Sequence, residues 1–466
     1  MISVSRRGFL QSGASLAAGM LIADAATCET IKKPNIVLML ADDLRPDAIA
    51  ALGNTVVKTP HFDAIINRGH VFRRAYTMGS MVGAVCLPSR TMLLTGKSLF
   101  RANGEPSGDD PATFTFPRAM KEAGYATFHA GKFGNSPKKV TAEFDVTLDP
   151  GQAGDIADAA IAFIKQHAGT AKFLYLAGPE PHDPQYAPES FYAQYKPDDM
   201  PLPERFAPYQ PFDNGEMTVR DEMTLPFPRT PEDIRKKLAR YYASIAYLDA
   251  EFGRVVQALK DAGEYDNTIF ILSADNGLSL GDHGLLGKQN LYECGGMHVP
   301  LVFAGPGIPK GESQALTYLM DLFPTVCDFI GAPIPGNVEG RSIVPVISGA
   351  TTSVRETLFT GYRNGQRAIT DGRWKLIRYP LIDKTQLFDL ESDPREQNDL
   401  AQVREHADRI ESLLSKLAQT QAEYADPAPL RVEAPRPAAW SPDKLTPEQL
   451  KYQKEETARS SGAASK

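Results

Sequence analysis

The sequence predicts an α/β fold built on a mostly parallel sheet with helices on both faces, and three observations predict it. Four short apolar runs read as strands, helical patterns separate them, and each run ends in polar residues. Strands that alternate with helices form parallel sheets. A strand covered on both faces is apolar throughout rather than alternating. In such sheets the ligand site lies beyond the carboxyl ends of the strands, so four polar strand ends point to one shared site.

Ile36-Val37-Leu38-Met39-Leu40 is the first strand and ends in Ala41-Asp42-Asp43. Cys86-Leu87-Pro88-Ser89-Arg90 opens a short helix with proline in its first turn, Leu93 and Leu94 on its buried side, and Gly96 as its stop. A helix from about Pro117 to Ala123 leads into the strand Tyr125–His129, which ends in Gly131-Lys132. A helix over about 156–167 precedes Phe173-Leu174-Tyr175-Leu176, which runs into Pro181-His182. Residues 196–230 are rich in proline and charge and read as a long surface insertion near the site. Thr230 caps the strongest helix, with Pro231 first, Glu232 and Asp233 in the first turn, and Gly263 at its close. The fourth strand, Thr268–Leu272, ends in Ser273-Ala274-Asp275-Asn276-Gly277.

The chain has 466 residues and is 42% hydrophobic, enough for one large or two unequal domains. Its net charge of −7 argues against a nucleic-acid partner. Four cysteines in this length do not make a disulfide framework. At the N-terminus, Ser5-Arg6-Arg7-Gly8-Phe9-Leu10 precedes a small apolar run and the cleavage candidate Ala23-Asp24-Ala25. Residues 1–25 read as a twin-arginine export signal, with the twin-arginine machinery as partner and the periplasm or exterior as destination. The run is too short to span a bilayer, and no other segment forms a stable membrane span.

The polar strand ends carry the chemistry. Asp42, Asp43, Asp275 and Asn276 offer only hard oxygen ligands, which suit Ca²⁺ or Mg²⁺. Capping and turn chemistry is the competing reading for each pair. Cys86 sits at a helix N-terminus, four residues from Arg90, where a positive field should lower a thiol pKa and stabilise an anionic oxygen. A buried structural cysteine is the alternative there. His182 offers a titratable imidazole for proton transfer.

Cys86-x-Pro88-Ser89-Arg90, four further residues, then Thr95-Gly96 resembles the sulfatase signature. The resemblance implies an alkaline-phosphatase-like catalytic domain over 33–350. It also implies that a formylglycine-generating enzyme oxidises Cys86 to formylglycine, whose hydrate attacks the sulfate ester. Asp42, Asp43, Asp275 and Asn276, with residue 86, would hold a divalent cation, usually calcium. Lys132 after Gly131 would bridge the formylglycine and the sulfate. Lys288, in Gly287-Lys288-Gln289-Asn290-Leu291-Tyr292-Glu293, would contact sulfate oxygens. Arg90 would orient the nucleophile, and His182 would protonate the leaving group. Arg45 and His283 are weaker substrate-facing candidates, Arg45 from an iduronate-sulfatase-like placement two residues after Asp43. The chain departs from the family at Gly134, where many members carry a histidine assigned to proton transfer on the formylglycine hydrate.

Met320-Asp321-Leu322-Phe323-Pro324-Thr325, Asp371-Gly372-Arg373-Trp374-Lys375 and Leu387-Phe388-Asp389-Leu390 extend the resemblance. They imply a C-terminal α+β subdomain over 351–425, an antiparallel sheet with a closing helix over about 404–422. Residues 426–466 read as an extended or partly disordered tail. The expected substrate is a sulfated small molecule or carbohydrate. Rival readings are a phosphate or phosphonate ester hydrolase on the same scaffold and a non-catalytic sulfatase-like binding protein.

Overall fold

Two sheets organise the computed structural model, which describes residues 33–102 and 114–461. The expected export signal at 1–25 lies outside the described residues. From Lys33 onward the chain forms one compact unit.

The large sheet has eight strands. Across it run Val146–Leu148, Ala126–Gly131, Lys172–Ala177, Asn35–Ala41, Thr268–Ala274, His298–Ala304, His70–Tyr76 and Gly311–Tyr318. His298–Ala304 pairs antiparallel with both neighbours, and the remaining pairings are parallel. The apolar run that predicts the first strand is explained by its central place. Every residue from Ile36 to Ala41 is at most 4% exposed, because both flanks are paired and both faces are covered. Each such Leu, Ile or Val contributes about 1.5–3 kcal/mol by burial. The helix Pro231–Asp261, 31 residues long, packs Ile234, Leu238, Ile245, Leu248, Phe252, Val255 and Leu259 into the core. Its N-cap is the expected one: the Thr230 hydroxyl accepts from the Asp233 amide.

Four strands of this sheet escaped the sequence reading: His70–Tyr76, Val146–Leu148, His298–Ala304 and Gly311–Tyr318. The first carries Arg73 and Arg74 in mid-strand, which break the apolar pattern. There the register shifts, and the two arginines reach the edge strand, Arg73 pairing with Glu312 at 2.8 Å and Arg74 donating to Gln314 at 3.1 Å.

The smaller sheet is antiparallel over Leu358–Tyr362, Gln366–Thr370, Trp374–Tyr379 and Lys384–Asp389. Gly79–Ser80 adds a parallel edge from the first part of the chain. The helix Ala407–Tyr424 closes it with Leu413 and Leu417 against Ile369, Trp374, Leu376 and Leu387.

Two expectations require correction. The segment 196–230 is not all surface, because Asp221, Glu222, Met223, Thr224 and Arg229 are buried. Glu222 explains this: its carboxylate accepts from the amides of Leu286 and Gly287 and pairs with Arg229 at 2.5 Å. Nor is 426–466 an extended tail throughout, since Pro447–Ser460 is a helix. Thr446 and Gln449 cap it reciprocally, with Pro447 in the first turn. That Thr-Pro-x-Gln start is a helix signal readable in sequence.

Candidate active site

Two strand ends and one helix start meet at Cys86. The helix Cys86–Thr95 is buried at every residue except Leu87, so the expected single buried side is in fact nearly the whole surface. Gly96 ends it in the left-handed region at φ 67°, as the sequence predicts. Cys86 is its first residue, placed against the ends of Asn35–Ala41 and Thr268–Ala274.

The sulfur lies 3.1 Å from Asp42 Oδ1, 3.9 Å from Asp43 Oδ1, 3.5 Å from Asn276 Nδ2 and 3.0 Å from Lys288 Nζ. Lys288 Nζ also donates to Asp43 Oδ1 at 2.6 Å. Arg90, one turn along the helix, donates through Nε to Asp275 Oδ2 at 2.9 Å and through Nη2 to Asp42 Oδ2 at 3.2 Å. It is wholly buried between these carboxylates. Asp43 takes φ 72°, and its amide donates to Asp275 Oδ1 at 3.2 Å. Tyr241, on the long helix, donates to the Asp43 carbonyl at 2.7 Å and accepts from the Arg45 amide at 3.0 Å, which fixes this strained residue.

His182 completes the wall. Its Nδ1 bonds the Asp183 carbonyl at 2.6 Å, and its Nε2 stands 3.9 Å from Asp43 Oδ2. Lys132 directly succeeds the strand Ala126–Gly131, and its positive charge acts on both Asp42 and His182. The expected residues Asp42, Asp43, Cys86, Arg90, Lys132, His182, Asp275, Asn276 and Lys288 therefore gather at one place.

Arg45 and His283 do not join them. Arg45 commits its guanidinium to Asp47 at 2.7 Å, Asp282 at 2.9 Å and the Ser279 carbonyl at 2.9 Å. His283 lies flat on Tyr292, with ring centroids 3.8 Å apart. Burial holds it down to about 3, so it is neutral.

Other residues at the site carry no motif. Asp221 accepts from Gln289 at 2.7 Å and from Arg220 at 2.9 Å, and its charge acts on Lys288. Asn135 donates to Asp42 Oδ2 at 2.7 Å. Arg220 and Asp221 lie in the proline-rich insertion, where sequence spacing offers no signal for the site. Asn135, beside Gly134, was legible only as a hydrogen-bonding side chain.

The electrostatics overturn one expectation. Burial, then the charges of Asp275 and Asp42, push the Cys86 thiol well above its ordinary value despite Lys288. The unmodified residue is a thiol at neutral pH. Burial also raises Asp43, and it raises Asp275 to about 6 with help from Asp42. Burial acts the same way on Asp42, but His182, Arg90, Lys288 and Lys132 outweigh it and hold that carboxyl well below its usual range.

The donor set fits a hard divalent cation. Asp42, Asp43, Asp275 and Cys86 each place one ligand atom within 4.8 Å of the others. Asn276 Oδ1 is buried with no hydrogen-bond partner among the described residues, an acceptor left for a cation. Three carboxylates against Arg90, Lys132 and Lys288 come close to balance. A divalent cation makes the site net positive and receptive to a sulfate monoester anion.

Comparison with known proteins agrees with this geometry. Residues 34–332 match the Sulfatase family, and 281–423 match the family of N-sulphoglucosamine sulphohydrolase C-terminal regions. An arylsulfatase of Clostridium perfringens is 25% identical over 453 residues, covering 82% of this chain and 93% of its own. An N-acetylglucosamine-6-O-sulfatase of Bacteroides thetaiotaomicron is 25% identical over 515 residues, covering 86% of this chain and 88% of its own. A solved structure described as a complex with its substrate D-glucosamine-2-N,6-O-disulfate shares the fold, with a TM-score of 0.72 at 23% identity. It covers 86% of this chain and 100% of that one. The Cys86 signature at the start of a buried helix, the carboxylates gathered around it and a match over most of the chain place this protein in the sulfatase family, as a sulfuric ester hydrolase.

Proposed function

We propose that the protein is an exported sulfatase acting on sulfated carbohydrates, with residue 86 as formylglycine and Ca²⁺ held by Asp42, Asp43, Asp275, Asn276 and residue 86. The observation that carries this reading is the ring around the Cys86 sulfur: Asp42, Asp43, Asn276 and Lys288 all within 3.9 Å. A thiol held protonated among carboxylates is a poor nucleophile, whereas an oxygen nucleophile in its place would have Lys288 Nζ beside it to stabilise negative charge. The sugar class is supported by the glucosamine-directed relative, and export by the paired arginines near the N-terminus.

Bound among these oxygens, the cation would polarise a sulfate oxygen and favour the nucleophile. The chain's own groups do the rest. Arg90 holds Asp42 and Asp275 in one orientation. Lys132 and Lys288 offset charge on the sulfuryl group as it transfers. His182 Nε2 delivers a proton to the departing alcohol. Burial and Lys288 pull His182 down to about 4, and its Nδ1 proton is engaged by the Asp183 carbonyl. To donate from Nε2 it must first take up a proton from solvent, which the negative charge of the bound sulfate ester favours.

Gly134, where many sulfatases carry a histidine, sits in open space: a Cβ there meets nothing within 4 Å. Asn135 beside it serves Asp42 instead.

The test is the mass of the tryptic peptide containing residue 86, after co-expression with a formylglycine-generating enzyme, alongside sulfate release from 6-O-sulfated glucosamine. We expect the aldehyde in place of the thiol, and hydrolysis that rises with its occupancy. Full activity with cysteine unmodified throughout would overturn the reading, and faster turnover of an aryl phosphate than of the aryl sulfate would favour the phosphoester rival.

A further inference from the structure

The helix Pro447–Ser460 lies beyond both family matches, which end at residues 332 and 423. It is nevertheless fastened to the site. Gln453 Nε2 donates to the Leu225 carbonyl at 3.3 Å, and Thr457 donates to the Met223 carbonyl at 3.4 Å. One acceptor lies in and the other directly follows the turn Arg220–Thr224, which carries Asp221 and Glu222. At the helix's last residue, the buried Ser460 hydroxyl donates to Asp183 Oδ1. Lys237 Nζ, from the long helix, meets the same oxygen at 2.8 Å and Ser460 Oγ at 3.1 Å. The backbone carbonyl of that same Asp183 holds His182 Nδ1 at 2.6 Å.

We infer that Ser460 and Lys237 clamp Asp183, and through it set the ring of His182, so that the C-terminal helix is a positioning element of the active site. This rests on the sulfatase reading above. The geometric reason is direct. His182 and Asp183 occupy a loop without regular structure, and the ring's orientation is fixed by a carbonyl of that loop. A carboxylate held by two donors from two different helices fixes the peptide that bears this carbonyl. With Ser460 Oγ removed, Asp183 keeps one donor, and the carbonyl gains freedom to turn. Proton delivery falls steeply with misplacement of the donor, because about 1 Å of error costs on the order of a hundredfold.

The chemistry gives a readout that a merely structural role would not move. In the acid step the nucleophile at position 86 bonds to sulfur as the ester S–O bond breaks, the S–O electron pair goes to the leaving oxygen, and that oxygen takes from His182 Nε2 a proton that the ring has taken up from solvent. A sugar alkoxide requires that proton as it leaves, whereas a nitrophenolate departs without it. Ser460→Ala is therefore expected to lower kcat on a 6-O-sulfated glucosamine on the order of tenfold, with KM unchanged. On 4-nitrophenyl sulfate the change should stay below about twofold. Ser460→Thr, which keeps the hydroxyl, should restore the sugar rate. Equal losses on both esters, or no loss on the sugar, would overturn the clamp.

Hydrogen exchange separates the two readings. Amides over 180–185 should exchange faster in Ser460→Ala than in the full-length parent, whatever the substrate. A parent that cleaves neither ester defeats the sulfatase reading, while unchanged exchange over 180–185 defeats the clamp.

Discussion

Replacing Arg90 tests the charge arrangement at the site most directly. Its guanidinium is fully buried and bridges Asp275 at 2.9 Å and Asp42 at 3.2 Å. Methionine approximates its volume and removes the charge. Two carboxylates then stand buried, with Lys288 bonded to Asp43 and not to either of them. Breaking a buried pair from one side costs about 3–5 kcal/mol, a large part of a typical total of about 5–15 kcal/mol. In urea with a chelator present, we expect the unfolding midpoint to fall by roughly 1 M, taking a slope of about 3 kcal/mol/M for a large chain. Calcium should restore more stability to Arg90→Met than to the parent, because the cation supplies the charge that the arginine took away. Arg90→Met combined with Asp275→Asn should lose less than the sum of the single changes, since the pair is coupled. A single-variant loss under about 1 kcal/mol, or strict additivity in the double variant, would refute the account of Arg90 as the charge that holds these carboxylates together.

Asp43→Asn should abolish calcium-dependent stabilisation, which in the parent is about 2.7 kcal/mol at a hundred times the dissociation constant, measured by thermal unfolding across a calcium titration. Lys288→Met should keep the fold but lower kcat by about two to three orders of magnitude on 4-nitrophenyl sulfate, because its ammonium is 3.0 Å from the residue 86 sulfur. His129 is buried against Tyr175 and Phe144, and burial together with the Arg90 charge lowers it from 6.5 to about 3. The unfolded chain therefore takes up this proton first as pH falls. The stability due to neutral His129 is complete above about pH 6.5 and fades towards pH 3, a loss of about 2 kcal/mol at pH 5. His129→Gln should flatten urea stability between pH 7 and pH 5 by that amount.

Much of the site was legible because strand ends are local. The run Ile36–Leu40 declares a central strand, and the residues just after it must emerge at the sheet's carboxyl edge. Asp42, Asp43, Asp275 and Asn276 could be placed together on that ground alone. The C-terminal helix was missed: Thr446, Pro447 and Gln449 form a helix start, but the surrounding prolines and charges hid it. Arg73 and Arg74 hid a strand in the same way, because their partners sit on a neighbouring strand far along the chain.

The sequence determined by itself the alternation of helix and strand, the chemistry of the strand ends and the family signature at Cys86. These depend on residues near one another in the chain. Only the tertiary structure decided which charges touch. It turned the Cys86 thiol from an expected activated group into a protonated one, because burial and the charges of Asp275 and Asp42 outweigh the ammonium of Lys288. It withdrew Arg45 and His283 from the site by giving them Asp47, Asp282 and Tyr292 as partners. It brought Ser460 to Asp183, 277 residues away in the chain. Electrostatic energy depends on distance through space and on burial, and neither is written in the order of the residues.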